Sequence, residues 1–186
     1  MKIGVLAVQG AFIEHIHILN RLGADCVELR QKNDITEDLD GIVLPGGEST
    51  VQGKLLRELD MFTPLRELIQ KGVPTLATCA GMILLAEELE SGEPNHLALV
   101  PMTVARNAYG RQLGSFSATA RITDIGDFPC VFIRAPYVTE VSEGCRVLCV
   151  IDGKIVGVKY KNITALAFHP ELTEDTRIHQ AFLDSL

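Results

Sequence analysis

The first half of the chain alternates between short apolar runs and segments with helical spacing. Residues 3–8 form a continuous apolar run, which is typical of a strand buried on both faces. Apolar side chains then recur every three or four residues up to Gly23, as on one face of a helix that ends at a glycine. Further strands are predicted at 26–29, 41–44 and 73–77. Three further helices are predicted: one that begins after a cap at Ser49, one that ends at Gly72, and one over 80–89. Short connections between such elements predict a parallel sheet with helices on both faces.

The second half of the chain predicts strands that are joined by loops rather than by long helices. These strands lie at 97–105, 114–122, 130–133, 145–151, 154–160 and 163–168. Asp152-Gly153 stands between two apolar runs and predicts a hairpin, and a helix is predicted at 174–186. We therefore expect one domain over residues 1–186 with a three-layer α/β fold. Its central sheet is mostly parallel and flanked by helices, with antiparallel strands in the second half.

Composition and charge exclude several classes of function. The chain has 17 basic and 24 acidic residues, a net charge of -7, and no run of Lys or Arg, so we expect no nucleic-acid partner. No apolar run approaches the roughly 20 residues that span a bilayer, and we expect no membrane contact. Five cysteines, an odd number, occur without a secretion signal, which predicts free thiols and a cytoplasmic protein. Cys145 and Cys149 lack a matching pair of ligands, so no zinc site is predicted.

Cys79 follows a predicted strand directly and precedes a predicted helix. A strand that turns on small residues into a helix is the geometry of a nucleophile elbow, which exposes the side chain at the carboxyl edge of the sheet. The start of the helix favours a thiolate, the nucleophilic form of cysteine. On the elbow alone, an inert thiol buried between sheet and helix fits the sequence equally well.

His169 and Glu171 follow the last predicted strand, in the segment Phe168-His169-Pro170-Glu171. Residues two apart on an extended chain point to the same side, so Glu171 is expected beside His169. The carboxylate would fix the imidazole tautomer, and the imidazole would exchange protons with a thiol and a leaving amine. Taken alone, the pair is more typical of a strand-end histidine beside a solvated carboxylate; together with Cys79 the balance shifts toward catalysis.

The paired glycines Gly46-Gly47 follow the predicted strand 41–44. Such a turn lets the backbone approach a ligand closely and present N–H groups to it. We predict that the amides of Gly47 and Ala80 form an oxyanion hole. The alternative is a simple tight turn between strand and helix. A phosphate loop is excluded because Gly53-Lys54 is followed by Leu55 rather than by Ser or Thr.

In this order, these motifs resemble those of the class I (triad) glutamine amidotransferases, and more narrowly those of the glutaminase subunits of pyridoxal 5'-phosphate synthases. The motifs that carry the resemblance are Val8-Gln9-Gly10 with Glu14-His15, Pro45-Gly46-Gly47-Glu48-Ser49-Thr50, Thr78-Cys79-Ala80-Gly81, Arg106-Asn107-Ala108-Tyr109-Gly110-Arg111-Gln112, Phe132-Ile133-Arg134-Ala135-Pro136 and Phe168-His169-Pro170-Glu171-Leu172-Thr173. One departure is Ala77, which stands where the family usually has glycine. A positive φ at that position would distort the elbow.

The resemblance implies an activity, a site and a partner. It implies that Cys79, His169 and Glu171 form a triad that hydrolyses L-glutamine through a thioester, in a flavodoxin-like fold. It implies no metal or organic cofactor. The ammonia would pass to a (β/α)8-barrel synthase, which the first helix would face. The residues implied to line the glutamine site are Gly47, Glu48, Ser49, Arg106, Ile133 and Arg134.

Two histidines on the first predicted helix, His15 and His17, are not a metal pair. Residues two apart on a helix diverge by roughly 200 degrees, so we expect at least one of these histidines to be solvated. Three alternatives to the predicted function stay open. They are a glutaminase that serves another synthase, a cysteine hydrolase of a different amide or γ-glutamyl substrate, and a silent interaction module. An intact Cys-His-Glu set argues against the last.

Overall fold

A computed structural model describes residues 1–106 and 114–186. The strands in these ranges are β1 (Lys2–Leu6), β2 (Asp25–Leu29), β3 (Gly41–Leu44), β4 (Thr75–Thr78), β5 (Ala86–Leu89), β6 (Val100–Ala105), β7 (Ser115–Ile122), β8 (Gly126–Ile133), β9 (Tyr137–Val141), β10 (Cys145–Ile151), β11 (Lys154–Tyr160) and β12 (Ile163–Leu166). The α-helices are α1 (Phe12–Arg21), α2 (Ser49–Glu58), α3 (Phe62–Gln70), α4 (Ala80–Leu85) and α5 (Arg177–Leu183).

One large sheet organises the described part of the chain. Its strands lie in the order β2-β1-β3-β4-β12-β11-β9-β6-β5, with β10 paired to β11. The strands from β2 to β12 are parallel, whereas β11 runs antiparallel to β12, β10 and β9. Strands β7 and β8 form a separate antiparallel pair. The α/β fold with a mostly parallel sheet and antiparallel strands in the second half is thus confirmed.

The order of the strands places the helices on both faces of the sheet. The chain moves from β1 to one side through α1 and from β3 to the other side through α2 and α3. Right-handed crossovers therefore put α1 opposite to α2 and α3. Helix α5 packs against α1, and α2 packs against α3 and α4. Because both faces are covered, β3 and β4 are buried along their whole length.

The structure corrects two predicted elements. The predicted helix 80–89 ends at Leu85, and Ala86–Leu89 is strand β5, which pairs in parallel with β6. Alanine, glutamate and leucine favour helix locally, but pairing with β6 overrides that preference. Strand β9 was not predicted. The last helix is shorter than predicted, since it covers Arg177–Leu183 rather than 174–186. None of the helices in residues 1–106 and 114–186 is both long and apolar enough to cross a membrane.

Candidate active site

The predicted site residues converge where three neighbouring strands end. The glycine loop follows β3, Cys79 follows β4, and His169 lies just after β12. These strands are adjacent, parallel and in register, with Leu44 beside Ala77 and Leu166 beside Thr78. Their carboxyl ends therefore meet at one edge of the sheet. Residues that are far apart in the sequence can therefore lie close together there. This edge is where open α/β folds bind their ligands.

Cys79 adopts a strained backbone conformation between β4 and α4. Its φ is 47° and its ψ is -102°, which is rare for a residue with a side chain. Its N–H donates to the carbonyl of Leu166 at 2.8 Å, which fixes the elbow to β12. Gly81 lies so close to the Leu44 carbonyl that a Cβ there would collide with it. The positive φ falls on Cys79 rather than on Ala77, so alanine at 77 fits the strand without strain.

His169 and Glu171 form a buried pair. His169 Nδ1 lies 2.6 Å from Glu171 Oε1, and each residue is only 5% exposed. The prediction that an extended chain would bring them together gave the right pair for the wrong reason. Residues Pro170–Leu172 make a single 3₁₀ turn, and this turn folds Glu171 back onto the ring.

His169 and Glu171 each stabilise the charged form of the other. Burial alone would lower the pKa of His169, but hydrogen bonds with Cys79 and Glu171 raise it to about 10. Burial alone would raise the pKa of Glu171, but His15 and His169 hold it well below its usual range. At neutral pH the arrangement therefore favours an imidazolium between a carboxylate and the Cys79 sulfur.

The glycine loop is held against His169. A Cβ on Gly46 would collide with the His169 ring, so only glycine fits there. The N–H of Gly46 donates to Thr78 Oγ1 at 3.1 Å, and its carbonyl accepts from the N–H of Ala11 at 3.0 Å. Gln9 Oε1 accepts from the N–H of Glu48 at 2.8 Å. The loop is thus tied both to β4 and to the start of α1.

Glu48, rather than the predicted Ser49, caps helix α2. Its carboxylate accepts from the N–H groups of Thr50 and Val51 at 3.2 and 2.8 Å. It also pairs with Arg106 at 3.1 Å, and Arg106 makes a second ion pair with Glu93. A carboxylate reaches the N–H groups of the first turn better than the shorter Ser49, whose buried Oγ has no hydrogen-bond partner among the described residues.

A cavity of about 430 Å³ opens over these groups. Its lining contains eight of the predicted residues: Gly47, Glu48, Ser49, Cys79, Arg106, Ile133, Arg134 and His169. Cys79 Sγ lies 3.9 Å from the Ile133 carbonyl oxygen. Glu171 lies behind His169, and Ala80 is the first residue of α4, next to Cys79. The segment after Arg106 in its motif, residues 107–112, lies outside the described residues.

Sequence reasoning missed three side chains that hold the site. Gln9 and Gln52 fix the glycine loop, since Gln52 Nε2 donates to the Gln9 carbonyl at 2.9 Å. His15 is fully buried beside Glu171, while His17 is exposed, so one of the two histidines is solvated as expected. The helical spacing of the sequence could have indicated the role of His15. His15 shares a face of α1 with Phe12 and Leu19, and a polar residue on an apolar face is informative.

In this α/β fold, a cysteine lies at a strand-to-helix elbow beside a histidine that is hydrogen-bonded to a glutamate. This arrangement is typical of the triad glutamine amidotransferases. The match to a family model is consistent with that class and covers residues 5–186. The chain belongs to the SNO glutamine amidotransferase family.

Relatives and solved structures agree with this assignment. The chain is 60% identical to the pyridoxal 5'-phosphate synthase subunit PdxT of Desulfitobacterium hafniense strain Y51, over 100% of this chain and 94% of that protein. It is 52% identical to the PdxT subunit of Methanocorpusculum labreanum, over 100% and 98% of the two chains. A crystal structure of a glutamine amidotransferase matches with a TM-score of 0.92 and 42% identity, over 98% of this chain and 97% of that chain. PurLQS from Thermotoga maritima, at 17% identity and a TM-score of 0.73 over 98% and 97%, shares the fold.

Proposed function

We propose that this chain hydrolyses L-glutamine to glutamate and ammonia and passes the ammonia to a synthase subunit that makes pyridoxal 5'-phosphate. The observation that carries the proposal is the strained Cys79 beside His169, whose ring is bonded to the buried Glu171. The names of the relatives support the second half of the proposal, because they are subunits of pyridoxal 5'-phosphate synthase.

The proposed reaction uses one proton that moves between His169 and the substrate. The Cys79 thiolate attacks the carboxamide carbon, and the N–H groups of Gly47 and Ala80 stabilise the oxyanion. The His169 imidazolium gives its proton to the departing nitrogen, which leaves as ammonia, and a γ-glutamyl thioester is formed. The neutral imidazole then takes a proton from water as the water attacks the thioester. Glutamate leaves, and the thiolate and the imidazolium are restored.

The cavity offers complementary groups for both ends of glutamine. Arg106 is suited to the α-carboxylate, since a guanidinium binds carboxylates through two N–H donors. Glu48 is suited to the α-ammonium group. We assign Ser49 to the same site because it lines the cavity and its buried hydroxyl has no hydrogen-bond partner among the described residues. We assign Ile133 and Arg134 to the same site because they also line the cavity.

We further propose that residues 1–186 act as one glutamine amidotransferase domain in the cytoplasm, in a hetero-oligomeric complex with a (β/α)8-barrel synthase. Free ammonia would be lost to water if it were released far from the enzyme that uses it. A direct complex avoids that loss. The resemblance of the motifs supports the barrel, and the acidic net charge of -7 argues against a nucleic-acid partner.

Labelling of the nucleophile tests the proposed function. A glutamine-like electrophile, diazo-oxo-norleucine, should label Cys79 and stop ammonia release. Cys79→Ala should abolish ammonia release from L-glutamine and leave the unfolding temperature nearly unchanged. Cys26→Ala is the matched control, because Cys26 is a half-buried thiol on β2, and burial raises its pKa to about 11. Normal glutaminase activity in Cys79→Ala would refute the proposal.

A further inference from the structure

Two histidines from different helices meet behind the Cys79–His169–Glu171 arrangement. His15 on α1 and His179 on α5 are both completely buried. His15 Nδ1 lies 2.9 Å from His179 Nε2. On the other side of its ring, His15 Nε2 lies 3.2 Å from Thr78 Oγ1 and 3.4 Å from Glu171 Oε2. A row of side chains thus runs from the cavity to the middle of the α1–α5 contact.

The outer oxygen of Glu171 needs a donor. Oε1 contacts His169, but Oε2 is buried and has no well-oriented hydrogen bond among the described residues. A buried acceptor without a partner destabilises the fold, and more so when it is charged. His15 Nε2, at 3.4 Å, is the ring nitrogen placed to supply a proton toward that oxygen. The separation is long for a full hydrogen bond but short enough for the N–H dipole to attract the carboxylate oxygen.

The polar groups around His15 select one tautomer. With the proton on Nε2, the ring donates toward Glu171 Oε2 and Thr78 Oγ1, and Nδ1 accepts from the Nε2–H of His179. The buried Nδ1 of His179, which has no partner in the described ranges, is then only an unused lone pair. The opposite tautomer would turn a lone pair toward the carboxylate and leave a buried N–H of His179 unsatisfied. The first arrangement is favoured on both counts.

The charges in this cluster fit the same arrangement. Five titratable groups meet here: His15 from α1, His179 from α5, His169 and Glu171 after β12, and Cys79 after β4. Burial lowers the pKa of His179 to about 3, so His179 stays neutral. A neutral His179 ring carries one N–H, which is free to donate to Nδ1 of His15.

We propose that His15 is a positioning residue for Glu171, which it holds through its Nε2–H, and that His179 fixes the tautomer of His15. This inference rests on the proposed function, because it assigns Glu171 to the support of His169. His15 and His179 touch no substrate. They act by keeping the Glu171 carboxylate charged, in place and turned with Oε1 toward His169.

A double-mutant cycle in the full chain, assayed for ammonia release together with a pyridoxal 5'-phosphate synthase subunit, tests the role of His15. His15→Met keeps the bulk of the ring and removes the donor. We expect it to lower kcat roughly 10-fold, the order expected for the loss of one hydrogen-bond donor to a charged group, with KM nearly unchanged. It should also move the acidic limb of the kcat profile to higher pH, because Glu171 loses a group that favours its charged form. His15→Gln, which keeps a donor near the Nε2 position, should restore most of the activity.

The same change in a Glu171→Gln background separates positioning from packing. If His15 acts through the Glu171 charge, His15→Met should add little further loss there. An equal loss in both backgrounds, with an unmoved pH profile, would overturn the proposal, as would full activity in His15→Met. Nitrogen-15 NMR of the native chain gives an answer even if a variant fails to fold. The proposal requires the Nε2–H tautomer of His15, and an Nδ1–H tautomer would overturn it. Cys79→Ala keeps the two questions apart, since activity in that variant would refute the proposed function itself.

Discussion

The His169 ring has two partners, Cys79 and Glu171, and only Glu171 can be changed without removing the nucleophile. Glu171→Gln keeps the size and the hydrogen bond but removes the charge that helps to raise the pKa of His169 to about 10. That pKa should fall in the variant, so the basic limb of the kcat/KM profile should move to lower pH. A pH series of ammonia release measures the shift. Glu174→Gln, an exposed carboxylate nearby, is the matched control.

His169→Asn should be more damaging than Glu171→Gln. It removes the group that carries the proton in both halves of the reaction, and general acid–base catalysis contributes about 100- to 10,000-fold. Glu171→Gln keeps that group and removes only the charge that supports it, so a smaller loss is expected. Steady-state kinetics of the two variants under the same conditions decide the order. Equal losses would mean that Glu171 takes a direct part in proton transfer.

At the residue scale, the sequence was sufficient where a function depends on a local segment. The residues on either side of Cys79 predict the elbow, and His169 and Glu171 are only two residues apart. His15 could not be assigned in the same way, because its partners Glu171 and His179 lie more than 150 residues away along the chain. For a similar reason, the sequence indicated Ser49 as the helix cap, whereas the structure shows Glu48 in that role. Its position is set by Arg106 as well as by the helix.

Helix α4 and strand β3 are pressed together at Gly81. A Cβ there would meet the carbonyl and backbone carbon of Leu44, neither of which can move without shifting β3. We expect Gly81→Ala to destabilise the fold by about 1–3 kcal/mol, as overpacking does, and to reduce kcat because the elbow shifts with the helix. Thermal unfolding and ammonia release measure both effects. Gly114→Ala is the control, since a Cβ there meets no atom of residues 1–106 or 114–186 within 4 Å. An unchanged unfolding temperature in Gly81→Ala would contradict this account.

At the element scale, the parallel half of the sheet was predictable and strand β5 was not. Strands β1, β3 and β4 are buried on both faces, so their continuous apolar runs identify them. Residues 86–89 carry two glutamates between an alanine and a leucine, which is a helical composition. Their extended conformation comes from pairing with β6, more than ten residues further on. No local pattern encodes that pairing.

At the scale of the whole molecule, the glycine loop connects the site to one outer helix. The Gly46 carbonyl accepts from the N–H of Ala11, the residue just before α1. The peptide that carries the proposed oxyanion donor, the N–H of Gly47, therefore has its orientation set at the start of α1. Glycines allow such a peptide to turn at little steric cost. A partner that contacts α1 is thus able to change the donor geometry at Cys79 by a short route.

We expect ammonia release to rise when the synthase subunit binds, and we expect α1 to transmit the effect. Ile13 is 41% exposed on α1, and Val150 is 51% exposed on β10, away from the site. Ile13→Asp should weaken the stimulation, since a charge in an apolar contact must be desolvated on binding. Val150→Asp, the same change at an exposed position elsewhere, should leave it intact. The measurement is kcat/KM for L-glutamine with and without the synthase subunit, at several synthase concentrations.

Full stimulation of Ile13→Asp at every concentration would mean that the synthase does not contact α1 at Ile13. Equal kcat/KM of the native chain with and without the synthase would mean that the loop needs no partner, because the donor geometry would already be complete in the free subunit.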